Sequence, residues 1–281
     1  YLVCIIYMIK KYKIPISNIP DLNESRPNIY KLIKSRWISS GSKFVREFED
    51  LFSKKINHKY SISMSNGTTA LISAINCLKS KKTEYVAVPA LTFGACANAI
   101  KSNNLKPIFI DSDKDHWNIS LDDLKQKYYI YKFKIVIIVH LNGYSANIIQ
   151  IKKFCKKNKI KIIEDCAEAL CTKFNKKYTG NFGDIATYSF FANKLITTGE
   201  GGMCSTKNIQ YYKKIKISAS HGMSPTKKYW HVVDGFNHRM TSLQAVIGIM
   251  MLKNIEKYTK KRKLNNKFYL DFFKNKKYFK F

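Results

Sequence analysis

Lys134-Ile135-Val136-Ile137-Ile138-Val139-His140-Leu141 is a near-continuous apolar run, as expected of a β-strand covered on both faces. Lys159–Glu164 (KIKIIE) is another strand-like stretch on its C-terminal side. On the N-terminal side stand Tyr85-Val86-Ala87-Val88, ended by Pro89, and Pro107-Ile108-Phe109-Ile110, ended by Asp111. Helical patterns fall between them. Gly94–Ser102 is one, and in Asn147–Lys157 the apolar Ile148, Ile151, Phe154 and Cys155 recur at helical spacing. This alternation runs from about Ser61 to Thr206 and predicts an α/β fold, a largely parallel sheet with helices on both faces. Ligand sites in such sheets gather at the carboxyl ends of the strands. Beyond it, Thr241–Lys253 reads as an amphipathic helix and Asn254 to about Phe273 as a long, lysine-rich one.

The chain has 281 residues, 45% of them hydrophobic, enough for one large domain or a domain and a half. Its net charge of +31 raises the question of a nucleic-acid partner. Only five of the basic residues are arginines (Arg26, Arg36, Arg46, Arg239 and Arg262), and these do not cluster. Nucleic-acid readers lean on arginine for bidentate contacts. The scattered lysines, accompanied by many Ile, Asn and Tyr, point to compositional drift and no specific nucleic acid. The same excess could help draw in an anionic substrate.

The seven cysteines include no CxxC pair and no zinc pattern. Cys77, Cys96 and Cys155 lie in apolar runs and read as buried free thiols in a reducing compartment. The apolar start, Tyr1 to Ile9, is far shorter than the roughly 20 residues of a membrane span. Lysines follow it, the wrong order for a secretory signal. Met8 could be the natural start, so residues 1–13 read as an N-terminal extension. No membrane association and a cytoplasmic location are the expectation.

Three segments carry candidate chemistry. Ser65-Asn66-Gly67-Thr68-Thr69-Ala70-Leu71 follows the strand-like Tyr60–Met64. Gly67 allows close backbone approach, and a helix starting there aims unpaired N–H groups at an anion, a ready phosphate site. It reads equally as a simple N-cap by Ser65 or Asn66. Ile162-Ile163-Glu164-Asp165 places acid at the end of an apolar strand. A carboxylate there needs a hydrogen-bonded or cationic partner; a protonated pyridine nitrogen would serve, and so would the cap of a following helix. Ser189-Phe190-Phe191-Ala192-Asn193-Lys194 sets a lone lysine after an aromatic strand and before the glycine-rich Gly199-Glu200-Gly201-Gly202. Such a lysine is either a carbonyl-binding amine in a pocket or a surface lysine before a hairpin.

The ordered set resembles the DegT/StrS family of sugar aminotransferases. Trp37–Gly41 with Phe48-Glu49, Pro89-Ala90-Leu91-Thr92-Phe93, His140-Leu141-Asn142-Gly143 and Gly235-Phe236-Asn237-His238-Arg239-Met240-Thr241 are similar to further family motifs, over roughly Ile14 to Lys263. Asn142 stands where the family usually has Tyr. The resemblance implies the fold of pyridoxal 5'-phosphate (PLP) enzymes of the aspartate aminotransferase type. Residues 14–254 would form the PLP-binding large domain, and residues 255–281 the start of a truncated C-terminal small domain.

It further implies that Lys194 is the catalytic lysine that carries the cofactor. Asp165 would pair with the pyridine nitrogen, Glu168 lie near the ring hydroxyl, and Phe93 stack on the ring. Gly67, Thr68 and Ser189 would hold the phosphate. Asn237 would reach the phosphate of a neighbouring subunit, which implies a homodimer with shared sites; Arg239 is structural or phosphate-directed. Within the family, Cys166–Ala169, Phe190–Met203 and Tyr229-Trp230-His231 most resemble GDP-perosamine synthases, which aminate C4 of a GDP-linked 4-keto-6-deoxy sugar, with glutamate as the expected amino donor. UDP-4-keto-6-deoxyglucose 4-aminotransferases are close relatives. A dehydratase branch carries histidine at the lysine position, so Lys194 argues against it. A PLP-binding but catalytically incomplete fragment and a basic nucleic-acid-binding protein are the alternatives.

Overall fold

The computed structural model describes residues 19–274 and 276. The expected extension over residues 1–13 lies outside the described residues. Helices α1 (Arg26–Lys34) and α2 (Lys43–Ile56) precede strand β1 (Tyr60–Met64) and α3 (Gly67–Leu78). Then come β2 (Tyr85–Pro89), α4 (Ala95–Lys101), β3 (Lys106–Ile110), α5 (Leu121–Tyr131), β4 (Ile135–Val139), α6 (Ile148–Lys157) and β5 (Lys161–Asp165). A small hairpin, β6 (Lys173–Phe174) and β7 (Lys177–Tyr178), leads to β8 (Ile185–Ser189), β9 (Gly202–Thr206), α7 (Ile209–Ser218), α8 (Ser242–Lys253) and α9 (Ile255–Phe273).

Seven strands form one sheet in the order β1-β9-β8-β5-β4-β2-β3. The β2–β3, β2–β4, β4–β5 and β5–β8 pairs are parallel, and only β9 runs against its neighbours. Alternation along β4 explains its apolar run. Ile135, Ile137 and Val139 join a core with α3, α4 and α7, while Val136 and Ile138 join one with α5 and α6. Helices therefore cover both faces, and every β4 side chain is buried. A third cluster packs α1, α2 and α8 around Phe48, Phe52, Tyr188 and Phe190.

The strand leaves the sheet earlier than the run suggests. His140 N–H donates to the Asp165 carbonyl at 3.1 Å, and Leu141–Gly143 turns away as a single 3₁₀ turn. The reading of α8 is corrected more substantially. It was expected to be amphipathic, but Ser242, Ala245, Val246 and Gly248 to Leu252 are all buried. Residues 245–252 contain no charged or amide side chain, so the helix has no polar face there and lies within the core.

Candidate active site

The carboxyl ends of β4, β5 and β8 meet the amino end of α3 around a cavity of about 520 Å³. The sequence around α3 explains its shape. Asn66 caps the helix, its Oδ1 accepting from Thr69 N–H at 2.8 Å, and Thr69 Oγ1 accepts in return from Asn66 N–H at 3.2 Å. The N-cap and phosphate readings of this segment are thus compatible. The cap takes one first-turn amide, leaving those of Gly67 and Thr68 without an intrahelical acceptor where they line the cavity.

Two glycines are required by close approach. A Cβ on Gly67 would lie 2.9 Å from Ser189 Cβ, and one on Gly202 would lie 2.3 Å from the Asn66 carbonyl oxygen. Neither segment could carry a side chain without separating α3 from β8 and β9.

Gly67, Thr68, Phe93, Asp165, Glu168, Ser189 and Lys194 all line this one cavity. Phe93 stands at its mouth, 80% exposed. Asp165 is buried at the floor, with Oδ1 accepting from Ala167 N–H at 2.9 Å and Oδ2 from the Cys96 thiol at 3.3 Å. Burial pushes its carboxyl above the ordinary range, while the Ala167 amide, the Cys96 thiol and the Lys194 charge pull against that. Lys194 Nζ lies 3.6 Å from Glu168 Oε1, and Glu168 Oε2 accepts from Asn142 N–H at 2.8 Å. Asn142 makes this contact through its backbone, so the contact does not depend on the side chain at position 142. Arg262 on α9 donates from Nη2 to the Asn193 carbonyl at 3.0 Å, fixing the residue before Lys194.

Asn237 is the exception. It is exposed and absent from the cavity lining; its Oδ1 accepts from Arg239 Nε at 3.1 Å beside the Met64–Arg239 bridge at the end of β1.

Sequence reasoning missed two cavity residues. Thr187 is paired with Asp165 across the sheet, and its buried Oγ1 has no hydrogen-bond partner among the described residues. Cys96, read only as a buried thiol, touches Asp165. Alternation of β8 could have placed Thr187 beside the aspartate; nothing local marks Cys96. Elsewhere, His140, Glu164 and Cys166 bring potential metal-ligand atoms within 4.8 Å of one another. His140 Nδ1 accepts from Ala146 N–H at 3.2 Å, so Nε2 carries the proton and donates to Glu164 at 3.0 Å. Neither ring nitrogen retains a lone pair for an ion.

A phosphorylated pyridine fits these features. The α3 amides and Ser189 offer donors to a phosphate, a buried and incompletely satisfied carboxylate faces a ring nitrogen, and an amine stands on the wall. The unpartnered Thr187 hydroxyl marks a polar group with room for a ligand atom.

Residues 21–280 match the DegT/DnrJ/EryC1/StrS aminotransferase family. The chain is 38% identical over 250 residues to the GDP-perosamine synthase of Escherichia coli O157:H7, covering 89% of this chain and 68% of that protein. It is 36% identical to the Vibrio cholerae GDP-perosamine synthase, covering 86% and 66% respectively. The chain thus spans about two thirds of the length of these relatives. Among solved structures it resembles Helicobacter pylori PseC, an aminotransferase involved in the biosynthesis of pseudoaminic acid. The TM-score is 0.89 at 25% identity, covering 95% of this chain and 72% of PseC. It also resembles the E. coli GDP-4-keto-6-deoxy-D-mannose-3-dehydratase with bound hydrated PLP, at TM-score 0.86 and 26% identity over 93% of this chain and 73% of that one. With the family model matched over residues 21–280, and seven of the residues its motifs single out lining one cavity, this chain belongs to the DegT/DnrJ/EryC1/StrS aminotransferase family.

Proposed function

We propose that this protein transfers an amino group from glutamate to C4 of a nucleotide-linked 4-keto-6-deoxy sugar, in the manner of a GDP-perosamine synthase. PLP is the cofactor, and residues 14–254 form its binding domain. The observation that carries the reading is the convergence of Lys194, Glu168 and the buried Asp165 on the cavity that also holds the first-turn amides of α3. When bound, PLP supplies the electron sink and carries nitrogen between donor and acceptor.

The chain's own residues do the rest. Gly67, Thr68 and Ser189 would hold the phosphate, and Phe93 would cover the ring from the mouth. Asp165 would keep a proton on the pyridine nitrogen, the charge on which the sink depends. Lys194 Nζ would be the amine that holds the cofactor's aldehyde and, when free, the base that takes the proton from the donor's α-carbon. Glu168, 3.6 Å from that amine, keeps it oriented and anchored to the Asn142 turn.

The lysine at position 194 favours transamination over the dehydratase chemistry of the histidine-bearing branch. The 38% and 36% identities to GDP-perosamine synthases support the GDP sugar over its UDP counterpart.

The test is an absorbance spectrum of the purified protein with PLP. A yellow band should appear and bleach on addition of glutamate, and Lys194→Ala should lose both band and transamination. A Lys194→Ala protein that transaminates at the wild-type rate would sink the assignment. A panel of nucleotide keto-sugars then reads the acceptor.

We further propose that Asn237 serves the phosphate of a second copy. It sits outside its own cavity, in a stretch where Tyr229, Trp230, Val232, Val233 and Phe236 expose 45–86% of their surface, an apolar patch suited to an interface. Sedimentation should show a dimer that Tyr229→Glu weakens. A wild-type monomer at micromolar concentration would exclude the shared site.

A further inference from the structure

Cys96 is the second residue of α4, three residues after Phe93, and is 1% exposed. Its sulfur lies 3.3 Å from Asp165 Oδ2 and 3.5 Å from Thr92 Oγ1. The directions of these contacts follow from proton counting. A carboxylate only accepts, so the single thiol proton points to Oδ2. The Thr92 hydroxyl must then donate to the sulfur. Burial first, and the Asp165 charge second, raise the thiol's own pKa well above its ordinary value, so the proton stays on sulfur. The thiol is thus a permanent donor, and its burial keeps it from acting as a nucleophile. The result is a relay from Thr92 hydroxyl to thiol to carboxylate, tying the cavity mouth at Thr92-Phe93 to the floor at Asp165.

The other carboxylate oxygen is held by Ala167 N–H at 2.9 Å. Two donors on two different oxygens fix the rotation of the Asp165 side chain, leaving its remaining lone pairs as the acceptors available to a ligand. We propose that Cys96 is a positioning residue for Asp165, orienting the carboxylate that meets the cofactor's ring nitrogen while taking little of its charge. The choice of sulfur matters because S–H is a weak donor. A hydroxyl in its place would orient the carboxylate as well but compete more strongly with the ring nitrogen's proton. This inference rests on the PLP reading, but the thiol–carboxylate contact itself does not.

Two substitutions separate orientation from packing, since Ala and Ser are both close to Cys in size. Cys96→Ala should weaken PLP binding about tenfold, the scale of one hydrogen bond to a charged group. Cys96→Ser should restore affinity to within about threefold of wild type. It should nonetheless lower kcat severalfold with the sugar KM unchanged, because the stronger donor draws charge from Asp165. A purely packing role makes the opposite prediction, with the apolar Ala tolerated at least as well as Ser. Wild-type affinity in Cys96→Ala, or an Ala variant that outperforms Ser, overturns the proposal.

A measurement on the cofactor-free protein covers the case in which these variants fold poorly. The S–H stretching band of Cys96, identified by its loss in Cys96→Ser or by isotope editing, should sit at lower frequency than that of a free thiol. It should rise in Asp165→Asn. A band unmoved by Asp165→Asn overturns the contact. A wild-type protein that shows the shifted band but binds no PLP counts against the proposed function and leaves the contact standing.

Discussion

Glu164 and Asp165 are consecutive residues at the end of β5, pointing to opposite faces of the sheet, and the protein surrounds them differently. Glu164 is fully buried and accepts from His140 Nε2 at 3.0 Å, Gly180 N–H at 2.7 Å, Phe182 N–H at 2.6 Å and Gly183 N–H. Burial alone would raise its pKa, but His140 and the backbone amides outweigh it and hold the carboxyl below the ordinary value. Asp165 has one amide and one thiol, and burial wins. One carboxylate is finished by the protein and the other is left for a ligand to finish. A satisfied buried acid organises structure; an incompletely satisfied one facing a cavity marks a site.

Substitution of either residue can break that contrast. Glu164→Ala should cost about 3–5 kcal/mol of folding stability, since it strands His140, the buried amides of Gly180 and Phe182 and the half-buried amide of Gly183. Denaturant melts read this, and a loss below about 1 kcal/mol would mean the network is not the brace described. Asp165→Asn should instead leave the cofactor-free protein as stable as wild type or more so, because its charge is poorly compensated. The transamination rate should fall about 10²-fold or more. Equal stability losses from the two substitutions would remove the distinction.

A smaller effect, and the finest test, is the pH dependence of stability in the cofactor-free protein. Glu164 has a depressed native pKa, so it contributes stability above its unfolded value that is lost as pH falls through the folded one. For Asp165 the native pKa is raised, and the sign reverses: stability declines as pH rises from its unfolded value through its folded value. Glu164→Gln should therefore flatten the acid-side loss, and Asp165→Asn should remove the decline on the other side. Thermal melts across the acidic range measure both. Unchanged slopes in the two variants would show that neither group titrates differently on folding.

Much of this was legible before any coordinates. The apolar runs gave the strands to within two or three residues at each end, most directly at β4, where cover on both faces leaves no polar face to confuse the pattern. The ordered motifs gave seven residues that share one cavity. What stayed hidden depends on long-range placement. Alternation says that residues 164 and 165 face opposite ways, but only the crossovers bring His140 and the Gly180–Gly183 turn to one of them. The role of Cys96 depends on α4 packing over the end of β5, which no local pattern encodes. The misreading of α8 has the opposite origin. Polar residues, Gln244 and Lys253 among them, stand only near its ends, while its middle is enclosed by α1 and α2.

The position of β9 has a consequence for how the molecule is made. Among the described residues β1 sits at the sheet edge, and all of it is paired with β9, a strand that leaves the ribosome some 140 residues later. Until that late segment inserts between β1 and β8, the Asn66 carbonyl lacks the Gly202 backbone it packs against, and β1 has no strand joining it to the rest of the sheet. Uniting pieces so remote in the chain slows this step of folding.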